Sequence, residues 1–372
     1  MLTSVHPALD ARIFHREARS ASEAGYAVTI LAPDPPAGQV DGVDLRRLPG
    51  PRGRMGRIVR WPILLVIALR ARADVYQIHD PELLPWAVVL RLLSRRPVVY
   101  DSHEFFAESI LTKAWLPRRL RRPISWLADR VEKTAVRLLS AVVVVTPEMA
   151  DRFRPYQREI VTVMNLPPSS AIRAPKGPRD RAAIYAGLLD GDRGLDILYE
   201  TARAVRATWP DFELRVLGIV DWSGLDAERR RTDDEWAAAG VRFLGRVPQP
   251  EVADQLATAS VGWLPMSPFA PSKRLAWPVK LGEYMAAGLP VVASDLPVQA
   301  KVIRDAGCGT VVERFSGAEH GAAIVALLAD PPHAREVGER GRAYASANLT
   351  WEAQAGHLTD LYRRLVRRAQ GS

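Results

Sequence analysis

Short, almost wholly apolar segments alternate with helical patterns along this 372-residue chain, and the alternation stops once before starting again. In the first half the apolar segments are Tyr26 to Ala32, Val43 to Leu48, Val75 to Ile78, Val98 to Tyr100 and Ala141 to Val145. Helical patterns fall between them at Ala11 to Ala24, Arg57 to Arg72, Pro81 to Ser94 and Ile124 to Leu139. Strands without a polar face belong to a parallel sheet that helices cover on both sides. Met1 to Ser4 reads as a clipped first strand, or as a chain whose start lies upstream. Asn165 to Pro178 breaks the rhythm with four prolines, a hinge rather than an element. After it the alternation resumes with AAIYAG, FELRVLG, VRFLG, VGWLPM, VVA and GTVVE as strands. A chain this long exceeds one ordinary core. The expected fold class is therefore α/β, two Rossmann-like doubly wound lobes at residues 1–165 and 179–348. A hinge at 166–178 joins them, and a last helix within 349–372 follows.

The segment Ser272 to Pro297 carries the most local information. Pro278 suits the first turn of a helix, where its fixed φ and missing N–H cost nothing. Leu281, Tyr284 and Met285 form the apolar stripe, and Gly288 with Pro290 stops the helix before a buried strand at Val291 to Ala293. Lys280 and Glu283 lie three apart and share a helix face. Such a pair suits a ligand bearing both phosphates and hydroxyls, or is a surface ion pair.

In parallel sheets ligands gather at the carboxyl ends of strands. Three polar clusters fall there: His79 to Glu82 after VYQI, Asp101 to Glu104 after VVY, and Asp190 to Arg193 after IYAGLL. Asp80 before Pro81 also reads as a helix cap. His103 stands in a polar run, which favours function over core packing. Arg193, beside Gly194 and a helix start, is an anion site or a solvated loop residue. Asp190 and Asp192 have the spacing of a metal-binding pair but lack further ligands and read as a loop. No G-x-G-x-x-G after a first strand, Walker A, G-x-S-x-G or HExxH pattern occurs, which withdraws support from dinucleotide, P-loop, serine-hydrolase and zincin readings.

Taken together, HPALDARIFHREARS, HDPELLP, VVYDSHEFF, VVVVTPEMA, YAGLLDGDRGLD, GWLPMSPF and PVKLGEYMAAGLPVVASDLP resemble glycosyltransferase family 4. That resemblance implies the GT-B architecture, two lobes across a central cleft, and a retaining, metal-independent transferase using a UDP- or GDP-sugar as co-substrate, with no other cofactor. It implies that Glu283 accepts from ribose hydroxyls, that Arg193 grips the leaving diphosphate, and that Lys280 assists. His103 would lie beside the donor sugar near the reacting carbon, and His6, Asp10 and Arg12 in the loop bordering acceptor and diphosphate. His79 and Asp80 are further cleft candidates. Where the family carries its first E-x7-E glutamate, this chain has Leu275, and Leu188 stands where a phosphate-gripping arginine is usual. A nucleotide-sugar epimerase and a non-catalytic partner subunit are the alternatives on the same architecture.

The net charge of +9 concentrates in RGRMGRIVRWPILLVIALRAR and TKAWLPRRLRRPISWLADR. Arginines interleaved with Trp61, Trp115 and Trp126 suit an anionic membrane surface, or are solvent faces of amphipathic helices. No nucleic-acid reader module accompanies the charge. The acceptor is then a glycan or lipid-linked hydroxyl. One cysteine, no secretory signal and no apolar run of spanning length point to a cytoplasmic protein, peripheral at the inner membrane face.

Overall fold

The computed structural model describes residues 1–36, 38–50, 53–111, 113, 116–169, 177–225, 230–270 and 277–371. Its contacts divide the chain into two units, Met1–Asn165 with Trp351–Ser372, and Leu166–Thr350. Most of the hinge segment, together with Leu275 and Trp115, lies outside the described residues.

The first unit opens on a helical turn at Ile13–Ala18 that runs into α1 (Arg19–Glu23). Then follow β1 (Val28–Ala32), β2 (Gly38–Val40), β3 (Val43–Arg47), α2 (Gly53–Ala71), β4 (Tyr76–Ile78), a 3-10 turn at Pro81–Leu83 and α3 (Leu84–Ser94). After these come β5 (Val98–Ser102), α4 (Phe106–Leu111), α5 (Arg118–Leu138), β6 (Ala141–Val144), α6 (Pro147–Phe153) and β7 (Ile160–Thr162). Strands β1 and β3 pair in parallel, as do β4 to β7 in sequence, while the short β2 runs antiparallel beside β3. Among the described residues Leu2 alone joins the two strand sets, bridging Leu31 on one side and Ile78 on the other. Met1 to Ser4 thus supplies a first strand reduced to one residue. Counting it, the parallel strands follow the doubly wound order 3-2-1-4-5-6-7, with β2 antiparallel at the edge and a switch point between Leu2 and β4.

Two local features depart from the sequence reading. The helix expected from Ala11 begins as a π-helical turn: His15 N donates to Asp10 O, and Glu17 N to Arg12 O. In an α-helix residues five apart diverge; the wider turn brings Arg12 and Glu17 to one side, 2.9 Å apart. Secondly, β5 continues through Asp101 and Ser102, which pair with Val143 and Val144. Asp101 is therefore a buried strand residue and not part of the following loop.

The C-terminal helix, Trp351–Gln370, packs Leu358, Leu361, Tyr362 and Leu365 against Val99, Ala141, Val143 and Val163. Polar pins fix its register: Trp351 Nε1 donates to Ser20 Oγ at 2.7 Å, Tyr26 Oη to Thr359 O, and Arg364 and Arg368 both bind Glu159.

The second unit contains β8 (Ala182–Ala186), a 3-10 turn at Gly191–Arg193, α7 (Leu195–Arg206), β9 (Glu213–Leu217), α8 (Asp233–Ala238), β10 (Val241–Gly245) and α9 (Gln249–Thr258). It continues with β11 (Val261–Leu264), α10 (Val279–Ala286), β12 (Val291–Ser294), α11 (Pro297–Ala306), β13 (Gly309–Val312), α12 (Gly317–Ala329) and α13 (Pro331–Asn348). All six strands are parallel in the order β10-β9-β8-β11-β12-β13, or 3-2-1-4-5-6. The switch point lies between β8 and β11. Pro278 caps α10 in extended conformation, one residue before the first turn.

Candidate active site

At the switch point of the second unit, the loop leaving β8 is held close to the loop leaving β11. Ser267 N donates to Asp192 O at 2.9 Å, and Gly194 (φ +92°) lies so near Pro265 that a Cβ would collide with its carbonyl. This contact seats the turn that carries Arg193, whose Nη1 pairs with the Asp190 carboxylate. Arg193 keeps a fifth of its side chain accessible. Helix α10 sends Lys280 over Gly187, the residue after β8. A Cβ on Gly187 would sit 3.1 Å from Lys280 Nζ, and the same Nζ lies 5.0 Å from the centre of the Tyr185 ring. Gly187 (φ +118°) therefore serves twice, by its backbone conformation and by leaving room for the ammonium. Both cations thus lie near Tyr185 on the strand that ends at Ala186. Glu283 follows one turn along α10, half-buried, with Tyr284 beside it hydrogen-bonded to Ala186 N. The position of Lys280 over Gly187 is not contained in the sequence spacing.

At the switch point of the first unit the polar residues are more deeply engaged. Asp80 does not cap the helix it precedes. Its Oδ2 accepts from Thr3 Oγ1, Ser4 N and Ser4 Oγ at 2.6–3.2 Å, so it ties down the loop after Leu2. His6 stands between two carboxylates, Nδ1 3.6 Å from Asp10 and Nε2 3.4 Å from Asp80. Burial opposes its protonation, yet the hydrogen bond with Asp10 and the charges of Asp80, Asp10 and Glu104 outweigh it and raise its pKa. Asp10 accepts from Arg12 N and Ile13 N, and despite burial its carboxyl is held well below the usual range by His6 and these amides. The ring of His103 meets that of His6 edge-on at 5.2 Å.

Arg12 departs from the expected diphosphate loop. Only 4% exposed, it is directed into the unit and not toward solvent. Its Nε and Nη2 bind both Asp101 oxygens at 2.9 and 2.8 Å, Nη2 also faces Glu17, and Nη1 donates to Val163 O at 3.1 Å. His79, equally buried, contacts Asp101 through Nδ1 at 3.0 Å. Gln77 donates to Glu17 at 2.7 Å and accepts from Tyr362 of the C-terminal helix. Burial would lift the Asp101 pKa, but Arg12 and the contacts from His103 and His79 hold it well below the ordinary value. Glu17 moves upward, through burial and then the Asp101 charge, against the pull of Arg12. Burial lowers the pKa of His79. Glu17, His79 and Asp101 have the spacing of a metal site, with ligand atoms within 4.8 Å of one another. The guanidinium of Arg12 already supplies the positive charge that the Asp101 carboxylate requires, and it contacts Glu17 as well. Sequence reading passed over Glu17 and placed Asp101 in a loop; its one usable signal was a carboxylate at the end of an otherwise apolar strand.

Two doubly wound sheets, each with polar groups at its switch point, give the two-lobed α/β frame of the GT-B class. Comparison with known proteins narrows the class. A family model described as "Glycosyl transferase 4-like domain" matches residues 11–168, and one described as "Glycosyl transferases group 1" matches residues 180–330. A phosphatidyl-myo-inositol mannosyltransferase of Propionibacterium freudenreichii is 28% identical over 299 residues, covering 78% of this chain and 70% of the relative. Among solved structures, sucrose-phosphate synthase from Thermosynechococcus elongatus superposes with a TM-score of 0.72 at 20% identity, over 94% of this chain and 92% of that one. Anabaena HepE in complex with UDP-glucose gives 0.73 at 13% identity, over 98% of each chain. The chain belongs to glycosyltransferase family 4 and is a nucleotide-sugar-dependent glycosyltransferase.

Proposed function

We propose that the enzyme transfers a hexosyl group with retention from a nucleotide sugar to a lipid-linked hydroxyl at an anionic membrane surface. The observation that carries the donor half is that Arg193 and Lys280 both lie near Tyr185, at the end of β8, with Glu283 one turn beyond Lys280. Two cations suit a diphosphate and a carboxylate suits ribose hydroxyls. In the reaction the acceptor oxygen bonds to the anomeric carbon as the bond to the β-phosphate oxygen breaks. The diphosphate leaves from the same face and takes the acceptor proton. Arg193, Lys280 and nearby helix N-termini offset the charge that develops on it. His103 lies beside the sugar.

The donor is tested by thermal shift against GDP-mannose, GDP-glucose, UDP-glucose and UDP-N-acetylglucosamine. Mannosyl transfer comes first because the sequence relative bears that name. One nucleotide class at about 100 times its Kd is expected to add about 2.7 kcal/mol, a rise of about 5–10 °C for a unit of this size. No shift with any of them overturns the reading. Transfer of labelled sugar to inositol phospholipid then tests the acceptor.

The membrane half rests on α5. Leu120, Ile124, Leu127 and Val131 recur at helical spacing, yet all are exposed. Trp126 is 60% and Leu127 56% accessible. A soluble helix turns such a stripe inward. Here Glu132, Ala135 and Val136 face inward instead, and Arg118, Arg119, Arg122, Arg130 and Arg137 accompany the exposed stripe. Exposed Leu92 and Leu93 on α3, which packs beside α5, add to the apolar surface. Arginine-flanked aromatic and aliphatic groups suit the headgroup boundary of an anionic leaflet. Among the described residues no helix is long and apolar enough to cross a membrane. Peripheral binding at the cytoplasmic face is the proposed mode. Trp126→Glu combined with Leu127→Glu is expected to lower partition onto phosphatidylglycerol vesicles at least ten-fold in co-sedimentation. Wild-type binding should also fall as the Debye length shortens from about 10 Å to about 3 Å with added salt. Equal binding to neutral vesicles would remove the electrostatic part.

A further inference from the structure

His103 is the residue placed beside the sugar, and the structure shows what stands behind it. Its Nδ1 is buried without a hydrogen-bond partner and points at Asp101, 3.6 Å from Oδ2, while 19% of the side chain stays accessible. Asp101 is fixed and anionic, because Arg12 binds both its oxygens. An imidazole lone pair turned toward a buried carboxylate is repelled, and an N–H in the same place is attracted. The contact is longer than a hydrogen bond because two nearer donors, Arg12 Nε at 2.9 Å and His79 Nδ1 at 3.0 Å, already occupy Oδ2. They also prevent the carboxylate from turning toward His103. The edge-on contact with His6 at 5.2 Å restricts the opposite ring flip. The charged and titratable groups around the ring are then His6, with Asp10, Asp80 and Glu104 about it, and Asp101, with Arg12, Glu17 and His79 behind it.

We infer that Asp101 is a positioning residue for His103. It holds the ring in the tautomer whose Nδ1 carries the proton, so that Nε2 presents a lone pair to a hydroxyl of the bound sugar. The site would then favour a donor whose hydroxyl donates to Nε2, and would discriminate against a deoxy analogue that leaves this acceptor unpaired. The inference rests on the reading of His103 as the group beside the sugar, but its first test needs no substrate.

Nitrogen-15 NMR of histidine-labelled wild-type enzyme, with His103→Asn used to assign the signal, reports which ring nitrogen carries the proton. Protonated Nδ1 and bare Nε2 are expected; protonated Nε2 overturns the inference whatever the donor proves to be. Once a donor is known, Asp101→Asn should lower kcat/KM at least ten-fold, chiefly through kcat. In a His103→Ala background the same change should cost less than about three-fold, because an effect that runs through His103 vanishes with it. A further loss as large as that in the wild-type background would show that Asp101 acts on something else.

Discussion

Replacing Arg193 by alanine is expected to lower kcat/KM by about 10²–10³, equivalent to about 3–4 kcal/mol of lost transition-state stabilisation. The magnitude is that of removing one preorganised donor from a developing oxyanion, and the geometry explains the preorganisation. Arg193 ends a 3-10 turn that Gly194 seats against Pro265, and its guanidinium is already oriented by Asp190. Little reorganisation remains when charge builds on the diphosphate. Alanine leaves the Asp190 carboxylate beside the site, its Oδ1 buried and without a hydrogen bond. Repulsion of the donor by that carboxylate then adds to the loss of the cation. The double variant Asp190→Asn with Arg193→Ala separates the two: any recovery of KM over the single variant measures that repulsion. Arg193→Lys should restore charge but not the planar fork, and is expected to recover only part of kcat. A change below ten-fold in steady-state transfer by the alanine variant would remove Arg193 from the leaving-group contact and shift that role to Lys280.

The strands were legible because burial on both faces leaves a run of apolar residues, as in AVVV or VVAS, that periodicity alone identifies. Leu2 was less so: a strand of one bridged residue has no period, and only its position between Leu31 and Ile78 reveals it. The boundary of β5 was misplaced for a related reason. Asp101 and Ser102 look like loop residues by composition, but strand pairing with β6 continues through them and Arg12 supplies the charge that makes burial tolerable. Glu283 and Lys280 were readable as one helix face. That Lys280 reaches over Gly187 depends on how α10 packs beside β8, which spacing along one helix does not contain. The charge on α5 was visible as arginines interleaved with tryptophan. Which face Leu127 and Trp126 occupy was settled only by the inward packing of Glu132 and Val136.

The second large effect is on stability. Arg12→Leu is expected to destabilise the first unit by about 3–5 kcal/mol, because it strands the Asp101 carboxylate in the interior without a counter-charge and leaves Glu17 beside it. Against a typical total of about 5–15 kcal/mol this is enough to unfold much of the population in mild urea. The coupling is long-range: Arg12 holds Asp101 on β5 and Val163 O just beyond β7, while Glu17 passes through Gln77 to Tyr362 on the C-terminal helix. Loss of the guanidinium should therefore loosen that helix as well, seen as faster amide exchange over Trp351–Gln370. Two units need not unfold together, so the measurement calls for probes on each. Trp351 fluorescence suits the first, with the remaining tryptophans replaced, and unchanged exchange in β8 to β13 would confine the damage. If the two carboxylates cause the loss, Arg12→Leu with Glu17→Gln and Asp101→Asn should regain a large part of it, since removing all the charges together costs less than removing one partner. The same series tests the role that resemblance had implied for Arg12. A diphosphate ligand would lose KM for the donor while leaving the urea midpoint unchanged, whereas the buried brace loses the midpoint first. A single variant that kept its midpoint and raised only KM would return Arg12 to the donor loop.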